Sequence, residues 1–250
     1  MKSTYSTSKI AQIIGIHPNT VRLYEDIGFI TTPKRKANGY RIFTDLHIDQ
    51  FRLARLALEV EVLQSGLRKQ AINIIKTSAR CDFDKALELT STYLKNIAAE
   101  RHNAEEAISI VEHTLLGETT YEYEEDCYLT RKETADYLHI TIDTLRNWEL
   151  NGLFKAKRKQ NGYRVYSSSD IATLKIIKSL RCANYSLASI LRMLSALTAN
   201  PQTDIRTAID TSSSEEDIIT ACDQLLTSLE HAASNAKEII VVLNKMKKTY

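Results

Sequence analysis

Glycine and proline are scarce in this chain of 250 residues, at seven and three. So few helix breakers leave room for much helix and little open loop. No apolar run reaches the ~18 residues that a membrane-spanning helix needs. The opening Met1-Lys2-Ser3-Thr4-Tyr5 has no apolar stretch of signal-peptide type. Cys81, Cys127, Cys182 and Cys222 show no Cys-x-x-Cys spacing, which fits free thiols in a reducing cytoplasm better than a disulfide framework. Glycine-rich phosphate loops, nucleophile elbows and metal-binding helix motifs are also missing. The expectation is a cytoplasmic protein that is not an enzyme and holds no cofactor or resident metal.

A net charge of +2 says little about partners, but its distribution says more. Residues 1–48 carry seven Lys or Arg against three acids, and residues 129–170 carry eight against five. Between them, 82–116 hold three bases against seven acids, and 118–126 hold five acids and no base. Two basic islands on a neutral scaffold suit two docking modules better than a uniformly basic coat.

An internal repeat coincides with the islands. Thr20-Val21-Arg22-Leu23-Tyr24-Glu25 returns as Thr144-Leu145-Arg146-Asn147-Trp148-Glu149, and Gly28-Phe29-Ile30 as Gly152-Leu153-Phe154. Lys34-Arg35-Lys36-Ala37-Asn38-Gly39-Tyr40-Arg41-Ile42-Phe43 returns as Lys157-Arg158-Lys159-Gln160-Asn161-Gly162-Tyr163-Arg164-Val165-Tyr166.

Local signals agree between the copies. Ser6-Thr7-Ser8 offers an N-cap to a helix carrying Ile10, Ala11, Ile13 and Ile14, which Gly15 ends. His17-Pro18-Asn19 starts a second helix that runs to Gly28. In the other copy, Thr130 caps a helix through Leu138, and Asp143 to Leu150 form the next. Two short helices across a tight turn make a helix-turn-helix. A hairpin should follow, with strands ending at Phe29-Ile30 and Leu153-Phe154, basic loops, Asn38-Gly39 and Asn161-Gly162 at positive φ, and return strands from Tyr40 and Tyr163. That hairpin is a wing. Further helices are expected over Leu46–Leu63, Leu67–Ile75, Asp170–Leu180 and Leu187–Leu197, the last capped by Ser186.

Each copy then ends in one long helix. Phe83, Leu87, Thr90, Leu94, Ile97, Arg101, Ala104, Ile108, Val111 and Leu115 step in heptads, with Thr90 and Arg101 breaking the stripe. Ile218, Cys222, Leu225, Leu229, Ala232, Ala236, Ile239, Leu243 and Met246 repeat the pattern. Such seams want a partner helix; an ordinary bundle pair is the other reading. The short linker favours an antiparallel pairing, because about 12 residues reach at most ~40 Å. The expected class is mainly α, with two winged helix-turn-helix domains joined through long antiparallel coiled-coil helices. The expected boundaries are 1–80 for the first domain, 81–116 for the first long helix, 117–128 for an acidic linker, 129–200 for the second domain and 201–250 for the second long helix.

The Thr-x-Arg-x-(Tyr/Trp)-Glu string followed by Gly, together with Asn-Gly-Tyr-Arg, resembles the signature of the MerR family of transcription regulators, and it does so in both halves. Family members are homodimers whose long helices pair antiparallel, so this chain resembles both subunits fused into one pseudo-dimer. The resemblance implies double-stranded DNA as partner, RNA polymerase as a second one, distortion of the promoter, and an unknown small effector. Metal sensing in the family uses Cys near the positions of Cys81 and Cys127, but a Cys-x-Cys loop is missing, and His102 or His113 would have to complete a site. The rival from another class is an architectural DNA-organising protein that leaves polymerase alone.

The second helix of each motif is expected in the major groove. His17, Asn19 and Thr20, and Thr141, Asp143 and Thr144, should lie nearest base edges, where Asn can read adenine and Thr can pack on thymine methyl. The two sets differ, so the half-sites should not be mirror images. Arg22 and Arg146 should hold phosphates. Tyr24 and Trp148 either support the helix or touch sugar-phosphate. Lys34, Lys36, Tyr40 and Arg41, with Lys157, Lys159, Tyr163 and Arg164, should clamp the backbone, positioning without specifying.

Overall fold

Local capping explains where the first helices begin. The computed structural model describes residues 3–60, 66–115, 128–159, 162–211 and 224–250. It forms two units, Met1–Ala99 with Ser228–Tyr250, and Glu100–Thr227, and each holds one copy of the repeat.

In the first unit the Ser6 hydroxyl accepts from the Lys9 amide at 3.2 Å and starts α1, Thr7–Ile14. Gly15 ends it at φ +73°, a left-handed conformation that suits a residue without Cβ. His17 caps α2, Pro18–Asp26, with its Nδ1 accepting from the Asn19 amide at 3.2 Å. Ile10, Val21, Phe43 and Phe51 are fully enclosed. The Tyr24 ring stacks on Phe51 at 5.5 Å and meets Phe29 edge-on at 5.4 Å.

A hairpin follows, shifted from its expected place. Phe29 and Ile30 are buried under α2 and are not strand residues; β1 is Lys34–Arg35, so the basic cluster starts as strand rather than loop. It pairs antiparallel with β2, Arg41–Ile42. The Lys36 amide donates to the Tyr40 carbonyl and the Gly39 amide to the Lys36 carbonyl. That leaves Ala37, Asn38 and Gly39 as a three-residue loop, in which Gly39 alone takes positive φ. A type I turn closed by a left-handed glycine has this pattern, so Asn38 does not need the positive φ expected of it. Its Oδ1 instead accepts from the Tyr40 amide at 3.3 Å.

Helices α3, Asp45–Leu58, and α4, Leu67–Ala79, complete the layer behind the hairpin. The end expected for α3, near Leu63, falls outside the described residues. Thr44 and His47 form a reciprocal capping box at the start of α3. Gln50 joins α3 to the end of α4: its amide donates to the Thr31 hydroxyl at 2.9 Å and to the Ser78 carbonyl at 3.2 Å.

The second unit repeats this plan with its own details. Strand β3, Leu129–Thr130, precedes α6, Arg131–Tyr137, and α7, Ile142–Leu150. Thr141 caps α7, one residue earlier than the sequence suggests. His139 takes the left-handed position at φ +51° that Gly15 holds in the first copy. Strands β4, Lys157–Arg158, and β5, Arg164–Tyr166, again place the strand at the basic cluster rather than at Leu153-Phe154. Here β3 adds a third strand, in the order β3-β5-β4; the first copy has only a single bridge, Tyr5 to Phe43, at that place. Helices α8, Ser168–Cys182, and α9, Leu187–Ala199, follow, and Ser186 caps α9.

Helix α5 runs over Phe83–Leu115. Its enclosed side chains include Phe83, Ala86, Thr90, Tyr93, Ile97, Ala104, Ala107, Ile108 and Val111. The stripe therefore passes through Ala86 and Tyr93 rather than the neighbouring Leu87 and Leu94, which are half-buried. Thr90 does not interrupt it: fully buried, it donates its hydroxyl to the Ala86 carbonyl at 2.7 Å. Burial raises the Tyr93 phenol to about 12.

The last 50 residues are not one long helix. A short α10, Ile205–Asp210, precedes α11, Leu225–Thr249. Ile218 and Cys222, expected to begin the seam, lie outside the described residues. From Leu225 the enclosed positions are Leu225, Leu226, Leu229, Ala232, Ala236, Ile239, Leu243 and Met246. Within the first unit, Lys247 pairs with Asp84, and the Asn235 amide donates to Glu59 at 2.7 Å. Within the second, the Leu226 and Thr227 amides donate to Asp210 at 2.9 and 3.1 Å. No described helix is long and apolar enough to cross a membrane.

Candidate nucleic-acid interface

The exposed face of α2 begins at its cap. His17, Asn19 and Arg22 are exposed, and Thr20 is half-buried. Arg22 donates from Nη1 to the Asn19 Oδ1 at 2.8 Å, so the two polar heads are held as a pair one turn apart. On α7 the matching face holds Thr141, Asp143 and Arg146, all exposed, with Thr144 half-buried. The Thr141 hydroxyl accepts from the Thr144 amide at 3.0 Å.

Tyr24 and Trp148 face the other way. They are 7% and 5% exposed and belong to the cores of their units. Packing behind the helix is therefore where the structure places them, rather than beside an outer ligand.

The hairpins carry Lys34, Lys36, Lys157 and Lys159, all exposed. At their tips Tyr40 is 70% exposed and Tyr163 is 73% exposed. Arg41 and Arg164 are half-buried and already engaged. Arg41 donates to Glu25, and Arg35 reaches the same carboxylate at 3.3 Å. Arg164 Nε lies 2.8 Å from Glu149 Oε1 and 2.7 Å from its Oε2, and Arg131 stands 3.9 Å from the same group. The Glu149 hydrogen bond holds the Arg164 guanidinium above its usual range.

Glu25 and Glu149 were not among the expected site residues. They end the α2 and α7 motifs and tie each hairpin to its helix. The signal was available, because acid and arginine recur together, Glu25 with Arg41 and Glu149 with Arg164.

Helix and hairpin enclose a cleft in both units. In the first, about 640 Å³ is bounded by Ser6, Thr7, Ser8, Arg22, Lys36 and Tyr40. In the second, about 790 Å³ is bounded by Arg131, Lys132, Lys159, Tyr163 and Arg164. Hydroxyls, cations and an exposed phenol around an open cleft suit anionic oxygen groups. The hydroxyls of Thr7 and Ser8, and the cations of Arg131 and Lys132, were missed because they sit inside the first helices, which read only as support.

Among the described residues, no three His, Cys, Asp or Glu side chains gather at one point. Cys81 is exposed just before α5, its sulfur 3.7 Å from the Thr31 hydroxyl. Cys127, the other expected sensor position, lies outside the described residues.

Residues 6–43 match the model of the MerR family regulatory protein, and residues 129–197 match that of the MerR HTH family regulatory protein. The chain is 40% identical over 53 residues to the HTH-type transcriptional regulator CueR of Escherichia coli O6:H1, which covers 21% of this chain and 39% of that protein. The chain thus spans well under half the length of that relative. It is 38% identical over 95 residues to CueR of Yersinia pestis, covering 38% of this chain and 66% of that one. Over 116 residues it is 32% identical to the uncharacterized HTH-type transcriptional regulator YyaN of Bacillus subtilis, covering 42% of this chain and 83% of that protein. No solved structure matches.

Proposed function

Since this chain belongs to the MerR family, we propose that it is a sequence-specific DNA-binding transcription regulator, a single-chain pseudo-dimer that holds two half-sites of a promoter and distorts the DNA between them. One observation carries this reading. Both units build the same cleft from the same parts, a helix start, a basic hairpin with an exposed Tyr and a Glu-tethered Arg.

On this reading, α2 and α7 enter the major groove, and the hairpins are wings lying along the backbone. Asn19, Thr20, Asp143 and Thr144 read base edges, with His17 and Thr141 at the helix starts. Arg22, Arg146, Lys34, Lys36, Lys157 and Lys159 supply the phosphate contacts, with Tyr40 and Tyr163 beside them. The regular burial along α5 and α11 supports a paired antiparallel seam, and so does the link from the end of α11 to the start of α5 through Lys247 and Asp84. Two reading heads on one chain can impose bending, whose cost of ~1–6 kcal/mol added contacts can offset. RNA polymerase is then the second partner, engaged once the promoter is reshaped.

Footprinting of genomic fragments, with stoichiometry from native mass spectrometry, tests this. The expected result is one chain protecting two half-sites. Two chains per footprint would overturn the pseudo-dimer. Binding with no effect on a promoter reporter would favour an architectural role instead.

A further inference from the structure

The second unit contains a groove that the DNA reading does not use. It lies between α8 and the last turns of α5, has a volume of about 730 Å³, and is also lined by Tyr137 and Leu138. Pockets for small organic ligands span ~300–1,000 Å³. Its floor is apolar, from Ala107, Leu138 and Ala183, all nearly fully buried. Ile110 stands 45% exposed on one wall. The α8 wall is cationic: Lys175 and Lys178 lie one turn apart, and the exposed Cys182 follows. Glu106, exposed, lies on the α5 wall opposite.

In the first unit the matching face is taken up by a long helix. By the repeat, Ala172, Lys175, Lys178 and Cys182 correspond to Asp49, Arg52, Arg55 and Glu59. Asp49 is buried and takes the Lys245 ammonium at 3.0 and 3.1 Å and the Tyr250 hydroxyl at 3.2 Å. Glu59 takes the Asn235 amide. Both carboxylates therefore bind the neighbouring long helix. In the second unit Ala172 and Cys182 stand at those positions, so this face keeps two cations and lacks those two carboxylates.

We propose that this groove binds a small amphipathic anion, an aromatic or aliphatic body carrying a carboxylate or sulfonate. The body covers Ile110 and the alanine floor, and the anion seats on Lys175 and Lys178. Lys175 donates to the Tyr137 hydroxyl at 2.7 Å and lies 4.8 Å from that ring's centre. A ligand that recruits this ammonium competes with Tyr137, the last residue of α6. The groove is thereby linked to the first helix of the second helix-turn-helix, which gives the ligand a regulatory effect; that effect alone rests on the DNA-binding reading.

The test uses the full chain without DNA and 1-anilinonaphthalene-8-sulfonate as probe. Its fluorescence should saturate at one site per chain. N-phenyl-1-naphthylamine, which lacks the sulfonate, should bind about tenfold more weakly, because a charge-assisted contact is lost. Lys178→Glu should weaken the dye by a similar factor, Ala107→Trp should fill the floor and abolish binding, and Arg55→Glu should change nothing. Thermal midpoints check folding, and if Ala107→Trp does not fold, Lys178→Glu decides. Mapped by mass spectrometry, iodoacetamide alkylation should slow at Cys182 and not at Cys81 when dye is bound. Equal affinity for the neutral amine, unchanged binding by Lys178→Glu, or an unchanged Cys182 rate would each overturn the proposal. DNA binding enters none of these readouts, so its failure would leave them standing.

Discussion

Arg164 donates to Glu149 from the hairpin to the end of α7, the same bond that Arg41 makes to Glu25 in the other copy. The bond locks the basic hairpin to the helix that is proposed to read bases. Partly exposed ion pairs contribute less than ~1 kcal/mol to stability. Arg164→Ala should barely move the thermal midpoint, yet lower DNA affinity about tenfold at fixed salt, since the hairpin must then be ordered on binding. Glu149→Gln should do the same, and the double variant should be no worse than either single one. If Glu149 merely repelled phosphate, Glu149→Gln would tighten binding. Fluorescence anisotropy with a labelled operator separates the two.

Tyr24 and Trp148 should matter for folding rather than for contact. Truncating such a buried aromatic to Ala costs ~3–5 kcal/mol, measurable by urea unfolding. Tyr24→Phe keeps the ring that stacks on Phe51 and should leave DNA affinity unchanged. A large loss of affinity in a stable Tyr24→Phe protein would return the hydroxyl to the interface.

Asn19 and Asp143 occupy matching places on α2 and α7 but differ in chemistry. Asn both donates and accepts, whereas a carboxylate only accepts and suits the cytosine amino group. Selection of binding sites from random DNA should therefore return two unlike half-sites. Asp143→Asn should shift preference in one of them only, by ~1–3 kcal/mol at the affected base pair. Identical half-sites from the wild-type chain would remove both residues from base reading.

Acid should weaken the first unit through His47. Burial, the largest cause, pushes this imidazole below its ordinary 6.5. Its Nδ1 accepts from the Thr44 amide at 3.0 Å, a bond that protonation of that nitrogen destroys. The folded value lies below the unfolded one, so the unfolded chain takes up the proton first as pH falls. The contribution is whole above pH ~6.5 and is lost as pH drops through the folded value. The second unit uses Asp170 at this position, accepting from the Ser167 amide at 2.8 Å. His47→Asp should remove the added slope between pH 7.5 and 5.5 in urea unfolding; equal slopes in both proteins would exclude His47 as the cause.

What the sequence made legible was chiefly local. Ser6, His17, Thr130 and Ser186 could be placed as caps or helix starts because a cap is satisfied by an amide two or three residues away. The α11 stripe from Leu225 to Met246 was equally plain, since its heptad steps are unbroken, although Val241 off the stripe stands 68% exposed. Where two neighbouring residues could each face inward, hydrophobicity misled. Leu87 outranks Ala86 on any scale, yet Ala86 is enclosed and Leu87 half-buried, because the turn of the helix, not the hydrophobicity of one residue, decides which face packs. Apolar Phe29-Ile30 reads as the end of a hairpin strand; in the structure these residues are core anchors, and the ladder needs only the backbone of Lys34 and Arg35. The tie between Glu25 and Arg41 was missed because it spans 16 residues, beyond what periodicity reports.

The unequal starts of α2 and α7 have a consequence for direction. A homodimer offers identical faces, and a palindrome reads alike from either end, so such a complex has no front or back. A single chain with Asn19 on one head and Asp143 on the other has a heading. Seated on unlike half-sites it would point one way along the duplex, and turning the operator around would turn the protein with it. Upstream and downstream neighbours would then meet different surfaces.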